Sequence, residues 1–112
     1  MKLITAIVRP GKLDEVKEAV KAAGVVGMTV SEVTGFGRQF GHTEIYRGAE
    51  YKVEFVPKSK IEILSDDDVA DGIAEAIASA AKTDNVGDGK IWITDVAAVV
   101  RIRTGERGTD AI

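Results

Sequence analysis

Between residues 37 and 50 the chain loses every periodic signal. The surrounding run, residues 35–58, reads GFGRQFGHTEIYRGAEYKVEFVPK. It opens on glycines, crosses polar residues, and carries Tyr46-Arg47-Gly48-Ala49-Glu50-Tyr51 at its crest. It leaves through the alternation Tyr51, Val53, Phe55, which stops at Pro57-Lys58. An aperiodic stretch of about fifteen residues is uncommon inside a compact domain, and is usually functional or disordered. On each side of it stands the same pattern of extended, helical and extended segments. The fold must therefore accommodate two similar halves joined by one long loop.

Residues 1–8 are apolar and β-branched and are halted by Arg9-Pro10-Gly11, which predicts a strand of about seven residues. From Lys12 the period becomes helical. Leu13, Val16, Val20 and Ala23 share one side, and Gly24 is placed to cap the C-terminus. Residues 28–33 predict a second strand. Residues 51–55 and 61–64 predict a third extended segment, bulged or at an edge where Pro57 falls. Ser65-Asp66-Asp67-Asp68 opens a second helix with capping side chains and negative charge at the positive end of its dipole. Val69, Ile73, Ala76, Ile77 and Ala80 give that helix its apolar stripe. A second loop covers residues 84–89, a fourth strand 91–100, and a basic, turn-rich tail follows.

This order predicts one α+β domain over residues 1–112, a ferredoxin-like split βαβ sandwich with two helices on one face of an antiparallel sheet. Its functional loops are an effector loop at about 37–55, a phosphate-binding loop at about 82–90 and a basic C-terminal loop at about 101–109. The other sheet face is left for self-association. With only six Phe, Trp and Tyr residues, the core must be built from Val, Ile, Leu and Ala. The absence of Cys excludes disulfides, thiolate metal sites and cysteine nucleophiles. The first ten residues have too short an apolar run for a signal peptide. No run approaches the roughly 18 apolar residues of a membrane span, so a cytoplasmic protein is expected. A net charge of −3 argues against a general polyanion binder.

Local basic clusters could still serve one phosphate ligand. In Gly87-Asp88-Gly89-Lys90, two glycines let the backbone turn tightly, so that successive N–H groups can face an anion with a lysine alongside. The nucleotide P-loop pattern is incomplete, and such a tetrapeptide alone is more often a turn before a strand. Arg101 and Arg103 fall on one side of an extended strand end, where two guanidinium forks would suit a polyphosphate. Lys58 adds a third basic site; each of these, taken singly, also reads as a solvated surface charge. Gly35-Phe36-Gly37-Arg38-Gln39 is half a dinucleotide fingerprint, but no helix follows it. His42 has no nucleophile pattern around it, and Tyr46 and Tyr51 could pack or be reached by a modifying enzyme. No paired acid and base and no tight metal-ligand set stands out, so the chain does not read as an enzyme.

Together these residues resemble the PII nitrogen-regulatory signal-transduction family over essentially the whole chain. The Tyr46–Tyr51 hexapeptide is similar to that family's loop signature, and Thr83-x-x-x-Gly87-Asp88-Gly89-Lys90-Ile91-Trp92-Ile93 to its second signature. Residues 35–43, Lys58 and the basic tail fit as well. The resemblance implies a compact homotrimer whose clefts between subunits bind ATP or ADP competitively. By position, Gly35, Gly37, Arg38, Gln39, Gly87, Asp88, Gly89 and Lys90 would hold the nucleotide, joined by Arg101 and Arg103 from the facing subunit. It further implies 2-oxoglutarate beside Mg-ATP, chelating the magnesium. Gln39 would be a metal or ligand contact, Lys58 would pair with a carboxylate, and Gly37 and Gly41 would offer backbone.

Tyr51 matches the tyrosine that is nucleotidylylated in many bacterial members. The implied partners are an ammonium transporter, a nucleotidylyltransferase and other nitrogen-control proteins. Neither nucleic acid nor direct membrane insertion is implied, and membrane association would run through the ammonium channel. Phe40 stands where the family is often basic, Ala49 excludes serine phosphorylation there, and Thr109 replaces a frequent acid. The competing readings are a nucleotide enzyme that transfers or hydrolyses phosphate, and a ferredoxin-like RNA-binding module.

Overall fold

The computed structural model describes residues 1–37 and 54–112. Strand β1 (Lys2–Val8) leads through a single 3-10 turn (Pro10–Lys12) into α1 (Leu13–Ala22) and β2 (Thr29–Gly35). After the central segment come β3 (Val56–Ser65), α2 (Asp67–Ala81) and β4 (Lys90–Asp95), and a 3-10 turn (Gly108–Ala111) follows in the tail. The four strands form one antiparallel sheet in the order β2-β3-β1-β4. Each βαβ unit is therefore split: β3 lies between β1 and β2, and β1 between β3 and β4. This is the ferredoxin-like arrangement expected from the sequence.

Register explains which face is buried, because paired residues share a side. Ile4 stands between Ile63 and Ile93, and Ala6 between Ile61 and Ile91. These side chains and Val8 meet Val16 and Val20 of α1 and Ile73 and Ile77 of α2. Ile4, Ile61, Ile63 and Ile77 are almost wholly buried, each stabilising the fold by roughly 1.5–3 kcal/mol. The opposite face carries Leu3, Thr5 and Ile7 of β1, with Leu64, Glu62 and Lys60 on one side and Thr94, Trp92 and Lys90 on the other. Leu64 and Trp92 are only half-covered there within a single chain.

Helix α1 ends as its glycine requires. Gly24 has φ +94°, its N–H donates to Lys21 O at 3.0 Å, and Val25 N–H donates to Val20 O at 3.0 Å. These two bonds make a Schellman motif, satisfying carbonyls that the last turn leaves open. Val25 packs back on the core, as the motif's hydrophobic contact demands.

Several expectations need correction. The fourth strand stops at Asp95, not Val100, because β1 runs out of residues to pair with it: Lys2↔Asp95 is the last rung. The third extended segment begins at Val56; residues 51–53 lie outside the described residues, and Phe55 precedes the strand. Pro57 is at a local edge. It faces Thr34 of β2, beyond Val8↔Ser59 where β1 ends. Ile73 and Ile77 of α2 are buried and Ala80 packs against the core as expected, but the other buried positions are Ala70 and Ala81, and Val69 is about half exposed. Small Ala70 and Ala81 let the helix lie close on the sheet, which turns Val69 outward. Asp66 is the N-cap residue but makes no side-chain cap bond, and the Ser65 hydroxyl donates to Asp66 O. The charge expectation stands: Asp67 and Asp68 occupy the first turn, and Asp67 Oδ1 accepts the Met1 ammonium at 2.7 Å.

Candidate functional site

The loop from Thr83 to Gly89 is folded around one carboxylate. Asp88 Oδ2 accepts the N–H of Thr83 at 2.7 Å and of Asp84 at 2.9 Å, while Oδ1 accepts the Thr83 hydroxyl. The same Oδ1 accepts Arg9 Nε at 3.0 Å, and Arg9 Nη2 donates to Val86 O at 2.7 Å. A guanidinium at the end of β1 thus grips the loop at two points. Hydrogen bonds from Thr83 hold the Asp88 carboxyl well below the usual carboxylate range, outweighing the burial that opposes them; Arg9 and the Asp84 N–H add to the effect. Asp88 faces into the loop and organises it.

Backbone geometry explains the two glycines. Gly87 has φ +101° and Gly89 φ +99°, conformations that side-chain-bearing residues rarely adopt. At Gly89 space is also lacking, since a Cβ there would lie 1.7 Å from Ile7 O. The loop backbone therefore runs directly against β1 before Lys90 opens β4.

Lys58 approaches from β3, with Nζ donating to Gly87 O at 2.5 Å. Burial pushes its pKa down, and the neighbouring Arg9 charge pushes the same way, against the pull of Asp88. Two cations held together at a partly dry cleft make a site that an anion would relieve. The cleft is open, about 700 Å³, and lined by Arg9, Pro10, Pro57, Lys58, Thr83 and Gly87 among others. A larger depression of about 890 Å³ lies between the α1–β2 turn, the end of β3 and the C-terminal residues. Its lining includes Glu62 and Asp66 and, among the described residues, no Lys or Arg. Its charge has the wrong sign for a phosphate, so the smaller cleft is the candidate.

The structure brings Lys58 to Gly87, whereas Asp88, Gly89 and Lys90 line a separate hollow of about 280 Å³ beside Ile7 and Val8, with Lys90 at the first position of β4, opposite Ile7. Gly35 closes β2 opposite Val56, and Gly37 follows it, exposed. Across this root Phe36 and Phe55 meet edge to face, ring centres 5.4 Å apart. Arg38, Gln39, Gly41 and Tyr51 lie outside the described residues. Arg101 and Arg103 do not continue a strand. Arg101 N–H donates to Glu106 O and accepts, at its carbonyl, the Gly105 N–H at 2.8 Å, so residues 101–105 turn. The Arg101 guanidinium bonds Glu106 Oε1 at 2.8 Å and Ile112 O at 3.1 Å, within the tail, and Arg103 is exposed on the turn. Strand alternation is therefore no reason to place these two arginines together.

Arg9 is the residue that sequence reasoning missed. It read as part of the stop Arg9-Pro10-Gly11, and its partners lie 77 and 79 positions further on. The one available signal was a guanidinium at the C-terminal end of a central strand.

Residues 1–106 match the family model described as Nitrogen regulatory protein P-II. The chain is 61% identical to the Nitrogen regulatory protein P-II of Cereibacter sphaeroides and 60% identical to that of Azospirillum brasilense. It is 58% identical to Nitrogen regulatory protein P-II 1 of Escherichia coli K12, and all three alignments cover 112 residues, the whole of both chains.

Proposed function

The chain belongs to the nitrogen regulatory protein P-II family, and from that membership we propose a regulator that transduces nitrogen, carbon and energy status by binding ATP or ADP together with 2-oxoglutarate. The loop from Thr83 to Lys90 takes the phosphates, with Gly35, Gly37, Arg38 and Gln39 from the other side and Arg101 and Arg103 from a facing subunit. The 2-oxoglutarate pairs a carboxylate with Lys58, and Gln39, Gly37 and Gly41 complete its contacts beside magnesium. Magnesium held mainly by phosphates and the keto acid needs few protein groups. Products of the reading are protein contacts, not chemistry: an ammonium transporter and a nucleotidylyltransferase acting on Tyr51 are the partner classes.

One observation carries the reading. Lys58, Arg9 and Gly87 converge on one cleft, beside a loop that the Asp88 carboxylate holds, with Lys58 depressed by burial and by Arg9. An anion there restores what burial takes from the ammonium. Because the same lysine touches Gly87, the keto acid and the nucleotide share a residue and their affinities become reciprocally coupled. The half-covered Leu64 and Trp92 on the helix-free sheet face support self-association, and a homotrimer is the assembly that the reading requires to bring Arg101 and Arg103 from a facing subunit.

Calorimetric titration of 2-oxoglutarate, with and without saturating Mg-ATP, tests this. Binding is expected only with Mg-ATP and is expected to vanish in Lys58→Ala. Equal binding with and without the nucleotide removes the coupling. No binding in either condition removes 2-oxoglutarate from the reading.

A further inference from the structure

We propose that Arg9 is a positioning residue for the phosphate-binding loop, acting through Asp88 and the Val86 carbonyl without touching the nucleotide. The inference rests on the preceding reading of that loop as the nucleotide phosphate site. Its basis is geometric. The loop connects α2 to β4, and its inward carboxylate is clasped from opposite sides: by Thr83 and Asp84 from within, by Arg9 from β1. The second Arg9 bond, to Val86 O, fixes the peptide that enters Gly87. The planar fork presents Nε to the carboxylate and Nη2 to the carbonyl in one fixed geometry; a lysine ammonium gathers its three donors on a single atom. Gly87 and Gly89 have left-handed backbones and no side chains to anchor them; Lys58 holds Gly87 O and Ile7 backs Gly89, and the Arg9 grip on Val86 O and Asp88 sets the peptides before each of them. Arg9 is thus a side-chain route by which the central strand sets the loop, beside the backbone contact of Ile7 with Gly89.

The test compares AMP with ADP, because the terminal phosphate is the group that the loop would hold. In wild-type protein ADP is expected to bind more tightly than AMP. Arg9→Gln is expected to reduce that preference about tenfold, the size of one lost charged hydrogen bond, with AMP affinity changed little. Arg9→Lys keeps the charge and loses the fork, and is expected to recover less than half of the preference. Thr83→Val removes no charge yet loosens the same carboxylate, and is expected to shift the preference in the same direction. Full recovery in Arg9→Lys would overturn the proposal in favour of simple attraction between Arg9 and phosphate. Equal weakening of AMP and ADP in Arg9→Gln would overturn it in favour of general destabilisation. An unchanged preference in Arg9→Gln would overturn it outright. Wild-type protein that does not distinguish ADP from AMP would instead remove the phosphate-loop reading, and the positioning role with it.

Discussion

Replacing Gly89 by alanine is the sharpest probe of how tightly the loop is built onto the sheet. The new Cβ would lie 1.7 Å from Ile7 O, where real contacts do not fall below 3.0 Å. The obstacle is backbone, so no rotamer can relieve it. Loop and β1 must separate by more than an ångström, at the place where Ile7 pairs with Lys90. Two costs add. The left-handed backbone at φ +99° costs an alanine about 1–2 kcal/mol. Opening the last rungs of the β1–β4 ladder costs roughly 2–3 kcal/mol more. A total of roughly 3–5 kcal/mol is a large part of the ~5–15 kcal/mol that a domain has.

Gly105→Ala is the internal control. Its φ is +74°, but a Cβ there meets nothing within 4 Å, so it bears only the backbone cost. Thermal unfolding at one fixed protein concentration separates the two. At about 4 °C per kcal/mol for a domain of this size, Gly89→Ala is expected to melt roughly 10 °C below Gly105→Ala. Equal melting temperatures would show that the loop yields freely, refuting the claim that β1 fixes it.

Three further outcomes follow from the same geometry. Ile63→Ala, wholly buried on β3, should cost about 2–5 kcal/mol in denaturant unfolding, whereas Glu75→Ala on the exposed side of α2 should stay within about 0.5. Asp88's folded pKa is depressed, so its contribution to loop order is present above the ordinary carboxylate value near 3.9 and is lost only as pH falls well below it. Its carboxyl carbon, followed by NMR, should titrate below the ordinary range; a midpoint within it would contradict the Thr83 and Arg9 bonds. Lys58's pKa is lowered from 10.5, so 2-oxoglutarate affinity in the presence of Mg-ATP should fall as pH rises through a value below that of an ordinary lysine. Lys58→Arg should flatten this dependence, and a flat wild-type profile up to pH 10.5 would remove Lys58 as the carboxylate partner.

Local rules made much of the fold legible. Strand β1, the α1 stripe and the Gly24 cap each rest on residues close together in the chain, where propensity, period and φ preference act. The Gly87-Asp88-Gly89 turn was visible for the same reason. What the sequence hid depends on distant partners. The end of β4 is set by the length of β1, 90 residues away, not by the apolar run that continues to Val100. Val69 and Ala70 differ in hydrophobicity in the direction opposite to their burial, because helix rotation follows the closeness of packing. Arg9 had one weak mark, a guanidinium at a strand end, because both its acceptors lie in a loop that only the β1–β4 pairing brings near. For Arg101 and Arg103, period-two reasoning failed when the strand it assumed had already ended.

The placement of β1 at the centre of the sheet has a kinetic consequence. Its partners lie about 60 residues later on one side and about 90 on the other, as Ile4↔Ile63 and Ile4↔Ile93 mark. Domains dominated by such distant pairings fold slowly, because loop closure must come before the contacts that reward it. During synthesis, α1 and the β2–β3 hairpin can form while β4 is still unmade. The loop that carries Asp88 is seated only when β4 docks on β1, so the proposed nucleotide site should form with the final closure of the sheet. A nucleotide present during refolding would then act late, slowing unfolding far more than it speeds folding.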